Sequence, residues 1–98
     1  MQPKKINKGG RPAGATSFDP VSASAFGDAV RELRLAKGIA QEALALRAGV
    51  DRGFMGHVER GDRQPSLNVI LKIAKAIGCT PAKLLEETSK RLPDEYLA

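Results

Sequence analysis

From residue 25 onward the apolar positions recur at helical spacing and nowhere alternate, strand-like, over a useful length. Phe26, Val30 and Leu33 follow i, i+4, i+7 and stop at Lys37-Gly38, a basic last turn followed by glycine. This first helix has three candidate beginnings: after Ser24, after Ser22, or at Asp19-Pro20. The sequence leaves that choice open. A second helix is predicted from about Gln41 to Arg47, closing at Ala48-Gly49. Asp51 is a good N-cap for a third helix over about 52–60, which ends at Gly61. Ser66 caps a fourth, carrying Leu67, Ile70, Leu71, Ile73, Ala74 and Ile77, and Gly78 stops it. Thr80-Pro81 places a cap before a proline at the first helical position and opens a short fifth helix through Leu84 and Leu85. The expected fold is all-α, a compact five-helix bundle. A core of that size is marginal and would gain from a second subunit.

Composition narrows the chemistry. The 98 residues make one domain with little left over. A single cysteine, Cys79, excludes an internal disulfide framework and a multi-cysteine zinc site. Its simplest role is that of a small buried apolar residue; redox sensing is the sharper alternative. With His57 the sole histidine, a metal site or a histidine-based triad has almost no raw material. No enzyme, metal or cofactor is therefore expected. No stretch approaches the roughly 18 apolar residues of a membrane span, and the basic beginning has no apolar run behind it. A soluble, cytoplasmic protein without a membrane partner is expected.

Charge then sets the organisation. Sixteen Lys and Arg against eleven Asp and Glu give a net +5, and most of the excess sits at one end. Residues 1–24 hold Lys4, Lys5, Lys8 and Arg11 against Asp19, in a stretch rich in Gly, Pro, Ser and Ala. Such a segment buries too little apolar surface to order itself, so it reads as a flexible basic N-terminal arm. An arm of this kind suits a polyanion through counterion release, although a solubilising tail has the same composition. Within it, Lys8 and Gly10-Arg11-Pro12 resemble the core of a minor-groove AT-hook, a weak three-residue motif that would put Arg11 on DNA. Residues 25–87 form the helical domain, and 88–98 a C-terminal tail. Leu84, Leu85, Leu92 and Tyr96 leave more apolar surface than five helices need. They are expected at a dimer contact, the alternative being a last segment that folds back on its own domain.

The second and third helices have a logic of their own. Two helices joined by a short turn need a small residue where their axes approach, which Ala45 supplies. They also need a turn residue tolerant of positive φ, which Gly49 supplies. At about 100° per residue, Phe54, Met55 and Val58 fall on one side of the third helix. Arg52, Gly53, Gly56, His57 and Arg60 fall roughly opposite, with no large apolar residue among them. Each internal glycine costs such a helix about 1 kcal/mol relative to alanine. The glycines therefore suggest a partner surface that comes close, and Arg52, His57, Arg60 and Arg63 suggest that it carries phosphate.

These residues resemble the lambdoid-repressor-like helix-turn-helix regulators, the XRE family. The resemblance runs from Phe26-Gly27 through Leu33-Arg34, Gly38-Ile39, Gln41-Glu42, Leu44-Ala45, Ala48-Gly49-Val50, Glu59-Arg60-Gly61, Arg63 and Pro65-Ser66-Leu67 to Ile73-Ala74 and Gly78. It implies a lambda-repressor-like DNA-binding domain whose third helix enters the major groove, usually as a two-fold dimer. By position, Gln41 matches a residue that braces the DNA backbone and the recognition helix. Arg52, Gly53 and His57 match base-facing positions. Arg34 and Glu59 match a buried ion pair tying the first helix to the third, and Arg63 and Gln64 a loop that meets phosphates. Two positions depart from the family pattern. Ala40 stands where Ser or Thr usually caps the second helix, and Gly53 where a polar reader is usual, which leaves more of the readout to Arg52 and His57.

The function this implies is a non-enzymatic transcriptional regulator. It would bind double-stranded DNA as a homodimer on an inverted repeat, with repression as its default mode and no small-molecule effector evident. The competing class is a protein-interaction module on the same fold, such as an antitoxin or a bridging factor. A bare G-x-x-G over Gly53–Gly56 also fits an RNA-binding KH loop, but that module needs strands, which the pattern lacks.

Overall fold

In the computed structural model, which describes residues 18–97, the first helix, α1, runs Pro20–Ala36. Its cap is Asp19, whose Oδ1 accepts from the Val21 N–H at 3.1 Å, with Pro20 at the position where a missing N–H is harmless. The earliest of the three candidate starts is thus the observed one. Residues 20–24, assigned from composition to the arm, are helix, because an Asp-Pro start and the burial of Ala23 outweigh the small-residue composition. Residues 1–17, with Arg11 among them, lie outside the described residues.

Four helices follow: α2 (Gln41–Ala48), α3 (Arg52–Arg60), α4 (Leu67–Ile77) and α5 (Pro81–Ser89), then a single 3₁₀ turn, Asp94–Tyr96. No strand occurs among the described residues. The predicted caps act as such. Asp51, Ser66 and Thr80 each accept a backbone N–H three residues on, at 2.7, 3.3 and 3.0 Å. Ala40, with no side-chain oxygen, makes no such bond, so α2 begins without a side-chain cap.

All five helices contribute to one core. Val30, Leu44, Met55, Val58, Ile73 and Leu84 are fully enclosed, at least one from each helix. α1 packs on α3 and α5, and α2 packs on α3 and α4. The α1–α3 crossing is backbone against backbone. A Cβ at Gly27 would press on the carbonyl oxygens of Val58 and Glu59, the latter only 2.8 Å away. Gly61 ends α3 at φ +80°, and a Cβ there would lie 2.7 Å from the Cα of Ser24. Both contacts hold α3 close to α1.

An ion pair fixes that crossing in the interior. Arg34 of α1 and Glu59 of α3, 8% and 4% exposed, meet through two bonds, Nε to Oε2 at 2.7 Å and Nη2 to Oε1 at 2.9 Å. Arg34 spends a third donor on the Ile39 carbonyl at 2.9 Å, closing the turn between α1 and α2. The carry-over of this pair from the family pattern matches the geometry.

The C-terminal segment differs from the expected dimer contact. Leu84 has no exposed surface, because its face of α5 packs into the core of its own domain. Beyond α5 the chain folds back along α1. Arg91 pairs with Glu32, and the Tyr96 hydroxyl donates to Asp19 Oδ2 at 2.5 Å, which holds that carboxyl below its ordinary value. Leu92 is half-buried beside Pro20 and Val21. Of the four residues, Leu85 and Tyr96 are exposed, at 45% and 42%, although the Tyr96 hydroxyl is engaged by Asp19 of its own domain. Cys79 is a free, half-buried thiol. Burial pushes it up against the opposing pull of Lys37 and Lys83, so it is not an activated nucleophile.

Two expectations follow for stability. Arg34→Ala strands Glu59 in the interior and should cost about 3–5 kcal/mol, read as a lowered chemical-denaturation midpoint. A midpoint equal to the parent's would contradict a structural role for the pair. Hydrogen bonds from Lys90 and Lys83 pull the Glu87 carboxyl from 4.5 down to about 2. A carboxyl lowered on folding adds stability above its unfolded value and loses it as pH falls through the folded one. Glu87→Gln should therefore melt below the parent at neutral pH, and the two should converge as pH approaches 2. A gap independent of pH would assign the loss to packing instead of charge.

Candidate nucleic-acid interface

α3 is nine residues long and has two distinct sides. Met55 and Val58 are fully buried, with Phe54 half-buried beside them, and they anchor the helix to the core. On the opposite side Arg52, Gly53 and Arg60 are exposed and His57 is half-exposed, as the helical wheel requires. Positions 53, 57 and 60 stack as one stripe down the helix, with Arg52 beside its upper end.

The stripe is held from below. Gln41, the first residue of α2, donates its Nε2–H to Glu59 Oε1 at 3.0 Å, so one carboxylate receives Arg34 and Gln41 together. That bond ties the start of α2 to α3 and fixes which way the Gln41 amide faces.

Gly56 corrects the expectation that both glycines make room for a partner. A Cβ there would stand 3.2 Å from Arg60 Nη1 and 3.6 Å from Gln41 Oε1. Gly56 is buried because the molecule's own Arg60 lies across it. Gly53 keeps the expected character: it is exposed, and the one atom near a Cβ there is the capping oxygen of Asp51, at 3.3 Å.

Arg60 continues into a polar cluster. Its Nη2 lies 3.1 Å from His57 Nδ1, and its Nε lies 3.6 Å from Asp62 Oδ2. Asp62 Oδ1 in turn lies 2.9 Å from His57 Nδ1. Partial burial would raise the Asp62 carboxyl, but the bond and charge of His57, with Arg60 behind them, hold it below its ordinary value. Sequence reasoning passed over Asp62. The signal was an acid just past the helix-ending glycine, within reach of the last turn in His57-Val58-Glu59-Arg60-Gly61-Asp62.

Arg52 and Arg63 are exposed cations with no hydrogen bond or ion pair to the described residues. Gln64 is partly committed elsewhere: its Oε1 accepts from the Asp19 N–H at 2.8 Å, tying the α3–α4 loop to the start of α1. Among the described residues, no group of three or more His, Cys, Asp or Glu side chains could hold a metal ion. Nor is any described helix long and apolar enough to cross a membrane.

The chain is similar to known proteins in sequence and fold. A helix-turn-helix family model matches residues 30–84, more than half of the chain. The control protein C.BamHI of Bacillus amyloliquefaciens is 43% identical over 65 residues, 65% of this chain and 80% of that one. The crystal structure of the restriction-modification controller protein C.AhdI from Aeromonas hydrophila superposes with a TM-score of 0.62 at 50% identity, covering 63% of this chain and 94% of that one. A further match is the controller protein C.Esp1396I, solved as a tetramer with its natural 35-base-pair operator. It has a TM-score of 0.67 at 26% identity and covers 71% of this chain and 92% of that one. With the five helices, the turn at Gly49 and the exposed stripe of α3 in place, the chain belongs to the XRE-type helix-turn-helix family of DNA-binding regulators.

Proposed function

We propose that this chain is a sequence-specific transcriptional regulator of the controller kind. It lays α3 in the major groove of an inverted-repeat operator as a homodimer, represses by occupying a promoter, and works in the cytoplasm without enzymatic activity. The observation that carries this reading is Arg52, a guanidinium without a partner among the described residues, on the exposed side of a helix whose other side is locked into the core. A bidentate contact from such an arginine to guanine O6 and N7 reads one base pair. Gln41 and Arg63 flank the stripe and are assigned to phosphate, as is the Gln64 amide nitrogen, which bonds to none of the described residues. Gly53 lets the groove approach, Arg60 and His57 face it, and Gly56 serves indirectly by seating Arg60. Leu85 on α5 and Tyr96 beyond it, the exposed members of the C-terminal apolar set, are the proposed dimer contact. The relatives' names support control of restriction–modification genes as the biological setting.

Selection of bound sequences from a random DNA pool should return two half-sites about one helical turn apart. On that operator Arg52→Ala should cost roughly 1–3 kcal/mol and relax the preference at one base pair per half-site, with the fold intact. An equal loss on scrambled DNA would reduce Arg52 to a phosphate contact. No loss on either DNA would favour a protein-interaction role for this face. Removing residues 1–17 takes away Lys4, Lys5, Lys8 and Arg11. Affinity should fall on all sequences and the salt dependence should become shallower, since fewer counterions are released. An unchanged salt slope would make the arm a passive tail.

A further inference from the structure

The ring of His57 is caught between opposite demands. Its Nδ1 lies 2.9 Å from a carboxylate oxygen of Asp62, which can only accept, and 3.1 Å from Arg60 Nη2, which can only donate. One nitrogen cannot satisfy both. Arg60 has an alternative, since its Nε is already 3.6 Å from the other oxygen of Asp62. Among the described residues Asp62 has no second side-chain donor of comparable closeness. The arrangement that satisfies all three groups puts the proton on Nδ1, directed at Asp62 Oδ1, with Arg60 resting on Oδ2.

We propose that Asp62 is a specificity-determining positioning residue: it keeps a proton on Nδ1 of His57, so that Nε2 meets the DNA as an acceptor when the ring is neutral and as a donor once the ring takes a second proton from solvent. The inference rests on α3 reading DNA, as proposed above. Which nitrogen carries the proton decides what the exposed edge can recognise. A neutral ring with Nδ1–H offers a lone pair at Nε2, matched to the amino group of cytosine or adenine in the major groove. A protonated ring offers Nε2–H, matched to guanine N7 and O6 or to a phosphate oxygen. Without Asp62 the neutral ring would prefer the other tautomer, with Nδ1 accepting from Arg60 and Nε2–H facing out.

The charged groups meeting the ring are Asp62 from the α3–α4 loop and Arg60 from its own helix. From α2 the neutral Gln41 shares with Arg60 the space above Gly56. Asp62 is a carboxylate throughout the range in which a histidine titrates, being held below its ordinary value by the ring and by Arg60. The cluster Arg60–His57–Asp62 is therefore neutral with a neutral ring and carries one positive charge after protonation. That change also adds one cation to a phosphate-facing surface.

The test measures affinity of the full chain for its selected operator and for the single-base variants of each half-site, at about pH 8 and about pH 5.5. The parent should change its preference at one base pair per half-site, from a base bearing an amino group toward guanine, by about tenfold between the two conditions. His57→Gln should bind with the same preference at both. Asp62→Ala should lose the preference for the amino-bearing base already at about pH 8. Asp62→Asn, which keeps an acceptor for Nδ1–H, should retain that preference at about pH 8. Denaturation of each variant checks that the fold survives. A parent that binds its operator with pH-independent preferences overturns this inference and leaves the DNA-reading function standing. A change that persists in His57→Gln overturns it equally, as does Asp62→Ala behaving like the parent. A parent that selects no DNA sequence at any pH overturns the functional reading and this inference together.

Discussion

Glu59 is a carboxylate inside a small helical protein, and most of what is particular about the molecule follows from keeping it satisfied. A buried charge without partners would cost several kcal/mol, so it must be surrounded by donors. Arg34 supplies two from α1 and Gln41 supplies one from α2, while Arg34 also closes the turn at Ile39. Three helices are thus tied at one carboxylate, and one of them is the helix with the exposed stripe. An apolar trio of similar volume would fill the same space, often with equal or greater stability. It would not specify a rotation of α3 about its own axis. The ion pair does, because a bidentate contact has one good geometry.

The outer side of α3 depends on the same economy of space. Glycine at 56 lets Arg60 lie flat across the helix, where it reaches the neighbourhood of both His57 and Asp62. A Cβ at this position would stand 3.2 Å from Arg60 Nη1, so the guanidinium would have to shift outward. Gly27 does the corresponding work on the inner side, letting α1 and α3 meet at the backbone. The short helix thus lies between two tight contacts, one toward the core and one toward solvent, and its side chains inherit that rigidity.

How much of this was legible in the sequence depends on the range of the physics involved. Caps and stops were readable because they act over three or four residues, as Asp51, Ser66, Thr80 and the glycines at 49, 61 and 78 illustrate. The side chains of α3 were sorted correctly by helical angle alone, Gly56 excepted. Arg34 and Glu59 are 25 residues apart, and no local rule joins them; the family pattern did. What stayed hidden was contact between distant segments. The purpose of Gly56 depends on where Arg60 and Gln41 turn, and the burial of Leu84 on which face of α5 meets the core. The fold-back of the tail depends on Asp19, itself uncertain as a cap until α1 was seen to begin there. Asp62 looked like ordinary loop polarity, because its partners lie in the turn of helix just before a glycine.

The Gly27 crossing has a consequence for motion. Where two helices meet through side chains, one can tilt while the other's rotamers adjust to fill the gap. Where they meet at the backbone, no soft layer lies between them. α1 and α3 must therefore open as a single unit, and their amides should exchange with solvent on one shared timescale set by separation of the pair. The start of α2 has no side-chain cap at Ala40, yet Gln41 and the Ile39 carbonyl fasten it to the same pair, so it should open with them. The outer side of α3 is then carried on a unit that moves as one piece, and its aim is that of the whole pair.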